Sequence, residues 1–407
     1  MKKKNFLRVV VLFVVVPLLV LMTSYAHAFE VRGVTDSTIK VGIIGDHTGP
    51  TADLQLKIVE GIKNYIRYEN EQGGIHGRKV ILADEDCHYS IPTAIAAFKK
   101  LVSKDEIFAL LIGSSSGSMK IFQPRCDRLK LPFITSALSE TLLPPVSKFS
   151  RYTFYGTSSY SDGIGLLFDY IMKDIKVKNP RIAFVYPDNE MGKAGLKGAR
   201  RYAKAYGVKL ISEDVLAPGA MDATSQVLSL KRAKANCVII HAYLSPNAIL
   251  LRDARKFAFK ANFFGAMLAA QDEVVQMAGK AAKGFITVHC FSMWYDDTPG
   301  MADVRKITLA YKPGTEKPYR HRYYTQGWVF GVMLSEAMKR AGRDLTPEGV
   351  VAALEGFKKF DTRGLCGPLS FGPNDHVGFK YNKLLKADID KMRYVPISDW
   401  RKPIHME

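Results

Sequence analysis

Residues 39–86 read IKVGIIGDHTGPTADLQLKIVEGIKNYIRYENEQGGIHGRKVILADED, and this stretch decides the fold. IKVGII (39–44) is a short apolar run rich in β-branched residues, which predicts a buried strand. LQLKIVEGIKNYIRYENEQGG (54–74) carries apolar residues at helical spacing and closes on Gly73 and Gly74, as a helix C-terminus does. KVILADED (79–86) is a second strand. Two short strands joined by an amphipathic helix form a βαβ unit, whose strands lie parallel.

The same rhythm continues outward from this unit. A helix over 91–104 has Pro92 in its first turn, where the missing N–H costs nothing. IFALLIG (107–113) is a strand, followed by a serine-rich turn, a helix through Leu129 and the strand LPFITS (131–136). After TFYGTSSYSDG (153–163) the pattern restarts. Helix 165–175 leads to strand 181–187, helix 195–206 to strand VKLISEDVL, helix 223–234 to strand 235–243, and helix 247–257 to strand ANFFGAM. A third portion holds strand GFITVHC, helices 301–311 and 323–341, and a hairpin over 380–397. The fold class is therefore α/β, with two doubly wound parallel-sheet lobes and a third segment returning to the first.

The N-terminus reads as an export signal. Lys2, Lys3, Lys4 and Arg8 precede the apolar run VVVLFVVVPLLVLM (9–22), and Ala26-His27-Ala28 places small residues where a signal peptidase cuts, after Ala28. With Pro17 inside it, the run is short for a membrane span. Hydrophobic residues at 47% and charged residues at 24% exclude disorder and coiled coil. Removing residues 1–28 takes four of the 58 basic residues and none of the 39 acidic ones, leaving a net charge near +15. The basic residues are scattered rather than clustered, and export separates the chain from cytoplasmic nucleic acid, so nucleic-acid binding is not expected. Cys87, Cys126, Cys237, Cys290 and Cys366 allow up to two disulfides and leave one thiol free, with no pairing legible.

Three local patterns bear on chemistry. Gly113-Ser114-Ser115-Ser116-Gly117 fits G-x-S-x-G between a strand and a helix, which in a hydrolase would make Ser115 a nucleophile. Its histidine would be one of His241, His289, His321 or His376, but none has a supporting motif and no HGGG-type loop precedes the serines. The other reading of the turn is an anion cradle. Helix N-terminal N–H groups and serine hydroxyls suit a carboxylate, with Ser116 or Ser118 as N-cap and a second such turn at 136–140. DEDCH (84–88) has a metal-like composition, but consecutive strand residues alternate faces and do not converge on one ion. Tyr155, Tyr160, Tyr243 and Tyr323 sit at strand ends or loops, where aromatics can line a cleft. No Gly-rich phosphate motif is present.

Over nearly its whole mature length the chain resembles the periplasmic solute-binding proteins of branched-chain amino acid ABC transporters, the leucine/isoleucine/valine-binding type. The matching stretches are IKVGIIGDHTGP (39–50), ENEQGGIHGRKV (69–80), LPFITSALS (131–139) and DTRGLCGPLSFGPNDH (361–376). The resemblance implies a type I periplasmic binding protein fold, two lobes joined by a three-crossing hinge that close on a small solute. Crossings would fall near Thr157, His289 and Gly367. Residues 29–157 and 290–366 would form lobe 1, and 158–289 and 367–407 lobe 2. It also implies that Ser116 or Ser118, with Ala137 and Ser139, hold the ligand carboxylate, and that Tyr243 meets the amino group.

One departure stands out. The family's amino-acid binders place a glutamate two residues after a strand-end glycine. Here that glycine is Gly265, and Met267 takes the glutamate's place. Asp162 and Asp272 are nearby acids at other positions, and Leu54 replaces the first-lobe aromatic. An ammonium buried without a carboxylate is costly. A small carboxylate with an apolar or aromatic body would suit Met267, Tyr160 and Tyr323. The expectation is a non-enzymatic, monomeric periplasmic binding protein without metal or cofactor. It would capture an amino acid or related organic acid and deliver it to an inner-membrane ABC permease. A secreted serine hydrolase, or a ligand-loaded partner of a membrane sensor, are the alternatives.

Overall fold

The computed structural model describes residues 31–136, 151–312 and 321–405. Strands β1 (Thr38–Gly45), β2 (Lys79–Asp86), β3 (Ala109–Ile112), β4 (Phe133–Thr135) and β5 (Thr153–Tyr155) form a parallel sheet in the order β2-β1-β3-β4-β5. The second sheet runs β12-β11-β10-β9-β8-β6-β7. In it β6 (Ile182–Tyr186), β7 (Leu210–Val215), β8 (Cys237–Ile240), β9 (Asn262–Gly265) and β10 (Ile286–His289) are parallel. The hairpin β11 (Lys383–Asp388) and β12 (Arg393–Pro396) adds antiparallel to β10. The second lobe is thus mixed rather than wholly parallel, because the C-terminal hairpin joins its edge.

Helices α1 (Ala52–Glu71), α2 (Ile91–Ser103) and α3 (Ser116–Leu129) belong to the first lobe. Helices α4 (Tyr160–Asp169), α5 (Glu190–Ala205), α6 (Thr224–Arg232), α7 (Leu244–Lys256) and α8 (Asp272–Ala278) belong to the second. The chain then returns: α9 (Pro299–Tyr311), α10 (Arg322–Ala341) and α11 (Pro347–Glu355) pack on the first lobe, sharing its core with Ile58, Ile62 and Tyr65. α4 begins five residues before its expected start because the Ser159 hydroxyl oxygen caps it, accepting from Asp162 N at 2.9 Å. All five cysteines are buried and free, so the disulfides their number allows are not formed.

The chain passes between the lobes between β5 and α4, and again after β10, where Phe291 pairs with Cys366. The third passage differs from the expected division at 366/367. Tyr155 N donates to His376 O at 3.0 Å, Tyr155 bridges Val377, and Phe371 lies edge-on to Phe154 at 5.5 Å. Residues 368–379 therefore lie on the first lobe, and the chain joins the second sheet only at Lys383. The sequence hides this because the stretch forms isolated bridges instead of a strand.

α1 and α10 cross with their backbones nearly touching. A Cβ on Gly61 would lie 2.1 Å from Tyr324 O, and one on Gly327 1.9 Å from Ile58 O. Only hydrogen fits at either position. Helix propensity alone would favour Gly327→Ala by about 1 kcal/mol. Overpacking against a backbone oxygen that cannot rotate away costs about 1–3 kcal/mol. We expect Gly327→Ala to lower the denaturation midpoint, and an unchanged or raised midpoint would contradict the close crossing.

Candidate functional site: a cleft at two switch points

In a doubly wound sheet, ligands meet the carboxyl ends of the strands where the winding reverses. In the first sheet that point lies between β1 and β3, and in the second between β6 and β8. The loops leaving these four strands face one another across a cavity of ≈ 60 Å³.

From β1 the chain enters a turn organised by Asp46, a fully buried carboxylate. Its oxygens accept from Gly49 N at 2.6 Å, Thr51 N at 2.8 Å and the Thr51 hydroxyl at 2.7 Å. Gln55 Nε2 donates to Thr51 Oγ1 at 2.8 Å, and Gln55 Oε1 accepts from Asp46 N at 2.9 Å. This network sets Thr51, Leu54 and Gln55 into the cavity wall. From β3 the backbone turns through Ile112, Gly113 and Ser114, with φ of 74°, 75° and 70°. The Ser114 hydroxyl accepts from Cys87 Sγ at 2.9 Å. Ser115, rather than Ser116 or Ser118, is the N-cap of α3, its hydroxyl oxygen accepting from Ser118 N at 3.1 Å. The N–H groups of Ser116 and Gly117 have no intrahelical acceptor, and they carry the positive end of the helix dipole at the cleft.

The second lobe answers with Met191, Tyr243, Met267 and Leu268, and α4 contributes Tyr160. Asn189 Nδ2 donates to the Tyr243 hydroxyl at 3.0 Å, which lies 2.9 Å from the Tyr89 hydroxyl of the first lobe. The Tyr160 hydroxyl is 3.4 Å from Ser116 Oγ. α10 adds Tyr323 and Gln326.

The structure thus brings together Ser116, Tyr160, Tyr243, Met267 and Tyr323. Ser118 is buried behind the turn with its hydroxyl 3.1 Å from that of Ser115, and is not part of the cavity wall. Ala137 and Ser139 lie outside the described residues. Tyr155 points into the first-lobe core, where Gln123 Nε2 donates to its hydroxyl at 2.6 Å. Sequence reading missed Thr51, Gln55, Tyr89, Met191 and Gln326. Apart from Gln326, each lies in or just after a loop leaving a strand, so the switch-point rule could have found them.

Among the described residues no charged side chain lines the cavity. Met267 is buried and its sulfur accepts from the Thr157 hydroxyl at 3.3 Å. Neither candidate substitute acid reaches the cleft. Asp162 lies 3.5 Å from the Tyr202 hydroxyl and 3.8 Å from Arg201, and Asp272 accepts from Tyr394 N at 2.8 Å. The three acids of DEDCH also diverge: Asp84 pairs with Lys63, Glu85 with Lys100, and Asp86 accepts from His47 N and Thr48. Behind the wall stands Arg322, fully buried, donating to Met267 O at 2.9 Å and to Ala270 O, with His289 Nε2 beside it.

None of the four candidate histidines is paired with the serine turn. His241 contacts Met191 O at 3.2 Å, His289 faces Arg322, His321 lies 3.3 Å from Glu273, and His376 contacts Thr153 O at 2.9 Å. Ser115 itself is occupied as a helix cap.

The family model for periplasmic binding proteins matches residues 38–388. The chain belongs to that family. It is 26% identical over 264 residues to the Leu/Ile/Val/Thr-binding protein of Salmonella typhimurium, covering 64% of this chain and 70% of that protein. It is 22% identical over 341 residues to the leucine-specific-binding protein of the same organism, covering 82% and 90%. Among solved structures it superposes on a branched-chain amino acid ABC transporter protein from Thermus thermophilus with bound valine. That match has a TM-score of 0.82 and 24% identity, covering 90% of this chain and 97% of the other. A fatty acid ABC transporter substrate-binding protein from Thermomonospora curvata superposes with a TM-score of 0.79 and 22% identity, covering 91% and 94%. Both likenesses are of fold. The periplasmic binding protein family consists of non-enzymatic solute binders. Among the described residues no helix is long and apolar enough to cross a membrane.

The histidines around the cleft give this periplasmic binding protein a pH signature. Complete burial pushes His241 down to about 4, and burial lowers His321 and, with Arg322 beside it, His289 as well. All three are neutral in the folded chain at pH 7, whereas unfolded histidine protonates near 6.5. Below that pH the unfolded chain binds more protons, so stability is lost as pH falls from about 6.5 toward each folded value. For His241 the gap corresponds to about 3 kcal/mol. We expect the melting temperature to fall steadily between pH 6.5 and 4, with a shallower fall in His241→Leu. A melting temperature flat across that range would contradict the neutral buried histidines.

Proposed function

We propose that this periplasmic binding protein captures a small carboxylate with an apolar body and no ammonium group, closing its lobes on it and passing it to an inner-membrane ABC permease. One observation carries this reading: a cleft without a charged lining residue, in which Met267 stands where an acid would be needed. The carboxylate would lie at the start of α3, against the unpaired N–H groups of Ser116 and Gly117 and the hydroxyls of Ser116 and Tyr160. Met191, Met267, Leu54 and Ile58 would cover the apolar body.

Magnitudes separate the two ligand classes. Burying an ammonium without a counter-charge costs several kcal/mol, and each 1.4 kcal/mol is tenfold in affinity. An α-amino acid should therefore bind at least about 100-fold more weakly than the acid of the same skeleton. Relatives named for amino acids and a structural neighbour named for fatty acids both occur on this fold, so the lining chemistry, not the fold, selects.

In this reading the signal segment is removed after Ala28, and the mature chain works in the periplasm as a monomer without cofactor. The first lobe would comprise 29–157 and 290 to about 380, and the second the remainder. A ligand contacting both lobes favours their closed arrangement.

A thermal-shift series with leucine, valine, 4-methylpentanoate and benzoate tests the ligand class, since a ligand that binds only the folded form raises the melting temperature. The acids should raise it and the amino acids should not. Leucine or valine giving the largest shift would overturn the proposal.

A further inference from the structure

The Tyr323 hydroxyl is the feature that the carboxylate reading leaves unused. The residue is 4% exposed and lines the cavity, and its hydroxyl hydrogen finds no acceptor in the protein, since its polar neighbour, the Arg322 guanidinium, can only donate to it. A hydroxyl hydrogen left without an acceptor out of water is costly, and native structures rarely leave one without a purpose. Its ring is also fixed in place. The Arg322 guanidinium lies 3.8 Å from the ring centroid, and the His321 ring stacks on it at 4.9 Å and 14°. Arg322 in turn is anchored by the carbonyls of Met267 and Ala270 and by His289, so the whole assembly is rigid. A donor held this way is preorganised for a partner in the cavity.

The surrounding charge decides what that partner is. Arg322 is permanently cationic, and none of the groups it contacts is a carboxylate. Glu273 lies 3.3 Å from His321, and Asp53, on the first turn of α1, acts on Tyr323 less than Arg322 does. Beside a guanidinium, the phenol is better placed to donate its hydrogen than to accept one. An ammonium offers only donors and would face a like charge. A carbonyl or a second carboxylate offers the lone pair that the hydroxyl hydrogen lacks.

We infer that Tyr323, backed by Arg322, is a second anchor in the cleft and selects acids that carry a further hydrogen-bond acceptor close to the carboxylate, 2-oxo acids being the simplest class that fits. The acceptor lies close because a cavity of ≈ 60 Å³ leaves room for only a short ligand to reach both anchors. The first anchor is the start of α3, so this inference rests on the carboxylate reading above. Tyr323 determines specificity here, and Arg322 positions it.

Isothermal titration of wild type and Tyr323→Phe tests this with three ligands of one skeleton: 4-methyl-2-oxopentanoate, 4-methylpentanoate and leucine. One hydrogen bond to a partner the solvent cannot reach is worth about tenfold. Wild type should bind the oxo acid about tenfold more tightly than the plain acid. Tyr323→Phe should abolish that preference through weaker oxo-acid binding, leaving the plain acid unchanged. The melting temperature of ligand-free Tyr323→Phe should lie close to that of wild type, because the hydroxyl hydrogen has no acceptor to lose and Arg322 keeps its carbonyl partners. Equal affinities for the two acids in wild type, or a preference that survives in Tyr323→Phe, would overturn the second anchor while the carboxylate reading stands. A melting temperature several degrees lower for the ligand-free variant would also overturn it, by showing that the hydroxyl hydrogen already has an acceptor within the protein. Leucine binding most tightly, or no binding by any of the three, would overturn both.

Discussion

The approach of α1 to α10 is the contact on which the cleft depends. These helices start 270 residues apart, one in the first βαβ unit and one in the returning segment. Gly61 and Gly327 let them meet backbone to backbone. That contact sets the start of α10 beside the start of α1, so Tyr323 and Gln326 share one wall with Gln55 and Ile58. A side chain at either glycine would shift α10 as a body, and every group on its first turn would move with it. The same turn carries Arg322 into the second lobe, so a helix–helix packing distance in one lobe controls a hydrogen-bonded contact with the other.

The contacts between lobes differ in kind along the cleft. At the rim Lys120 meets Glu190 at 2.7 Å and the hydroxyls of Tyr89 and Tyr243 meet at 2.9 Å. An exposed ion pair contributes about 0–1 kcal/mol, and a hydrogen bond that water can replace about as much. Such terms bias closure without locking it, and leave the ligand to supply the remainder. The Arg322 contacts are of another order, because opening them would strand a buried guanidinium without its carbonyl partners. Relative motion of the lobes is therefore easiest as a rotation that opens the rim and spares the Arg322 side, near the end of β10.

The strand–helix rhythm was legible because buried parallel strands are short, apolar and β-branched, and the helices between them carry period 3.6. The site was legible in part for the same reason: Tyr243 follows the apolar run CVII, and Met267 stands two residues after Gly265. Other features carry no local signal. Three consecutive serines are equivalent caps on paper, and only the backbone turn at Ser114 selects Ser115. Tyr89 lies past a left-handed His88 that no pattern announces. Arg322 reads as a surface cation at a helix start, and its burial comes from a lobe encoded some fifty residues earlier in the sequence. Residues 368–379 make isolated bridges to the first lobe, and a segment without strand periodicity gives no hint of its partner.

The cleft is flanked by two buried ions that never meet. Asp46 is held by N–H groups and a hydroxyl, and Arg322 by carbonyls and an imidazole. Each has its charge met by dipoles within its own lobe or its immediate neighbour, and neither lines the cavity. A ligand entering between them therefore meets hydroxyls, carboxamides, helix N–H groups, thioethers and aliphatic side chains, and among the described residues no ion. Dipoles that are fixed before binding can stabilise one sign of charge strongly only where several point the same way. Here that place is the start of α3, where free N–H groups and the hydroxyls of Ser116 and Tyr160 come together. With no comparable convergence of acceptors among the described lining residues, the proposed change of cargo from zwitterion to anion would rest on one side chain, Met267, and leave the two-lobed fold as it is.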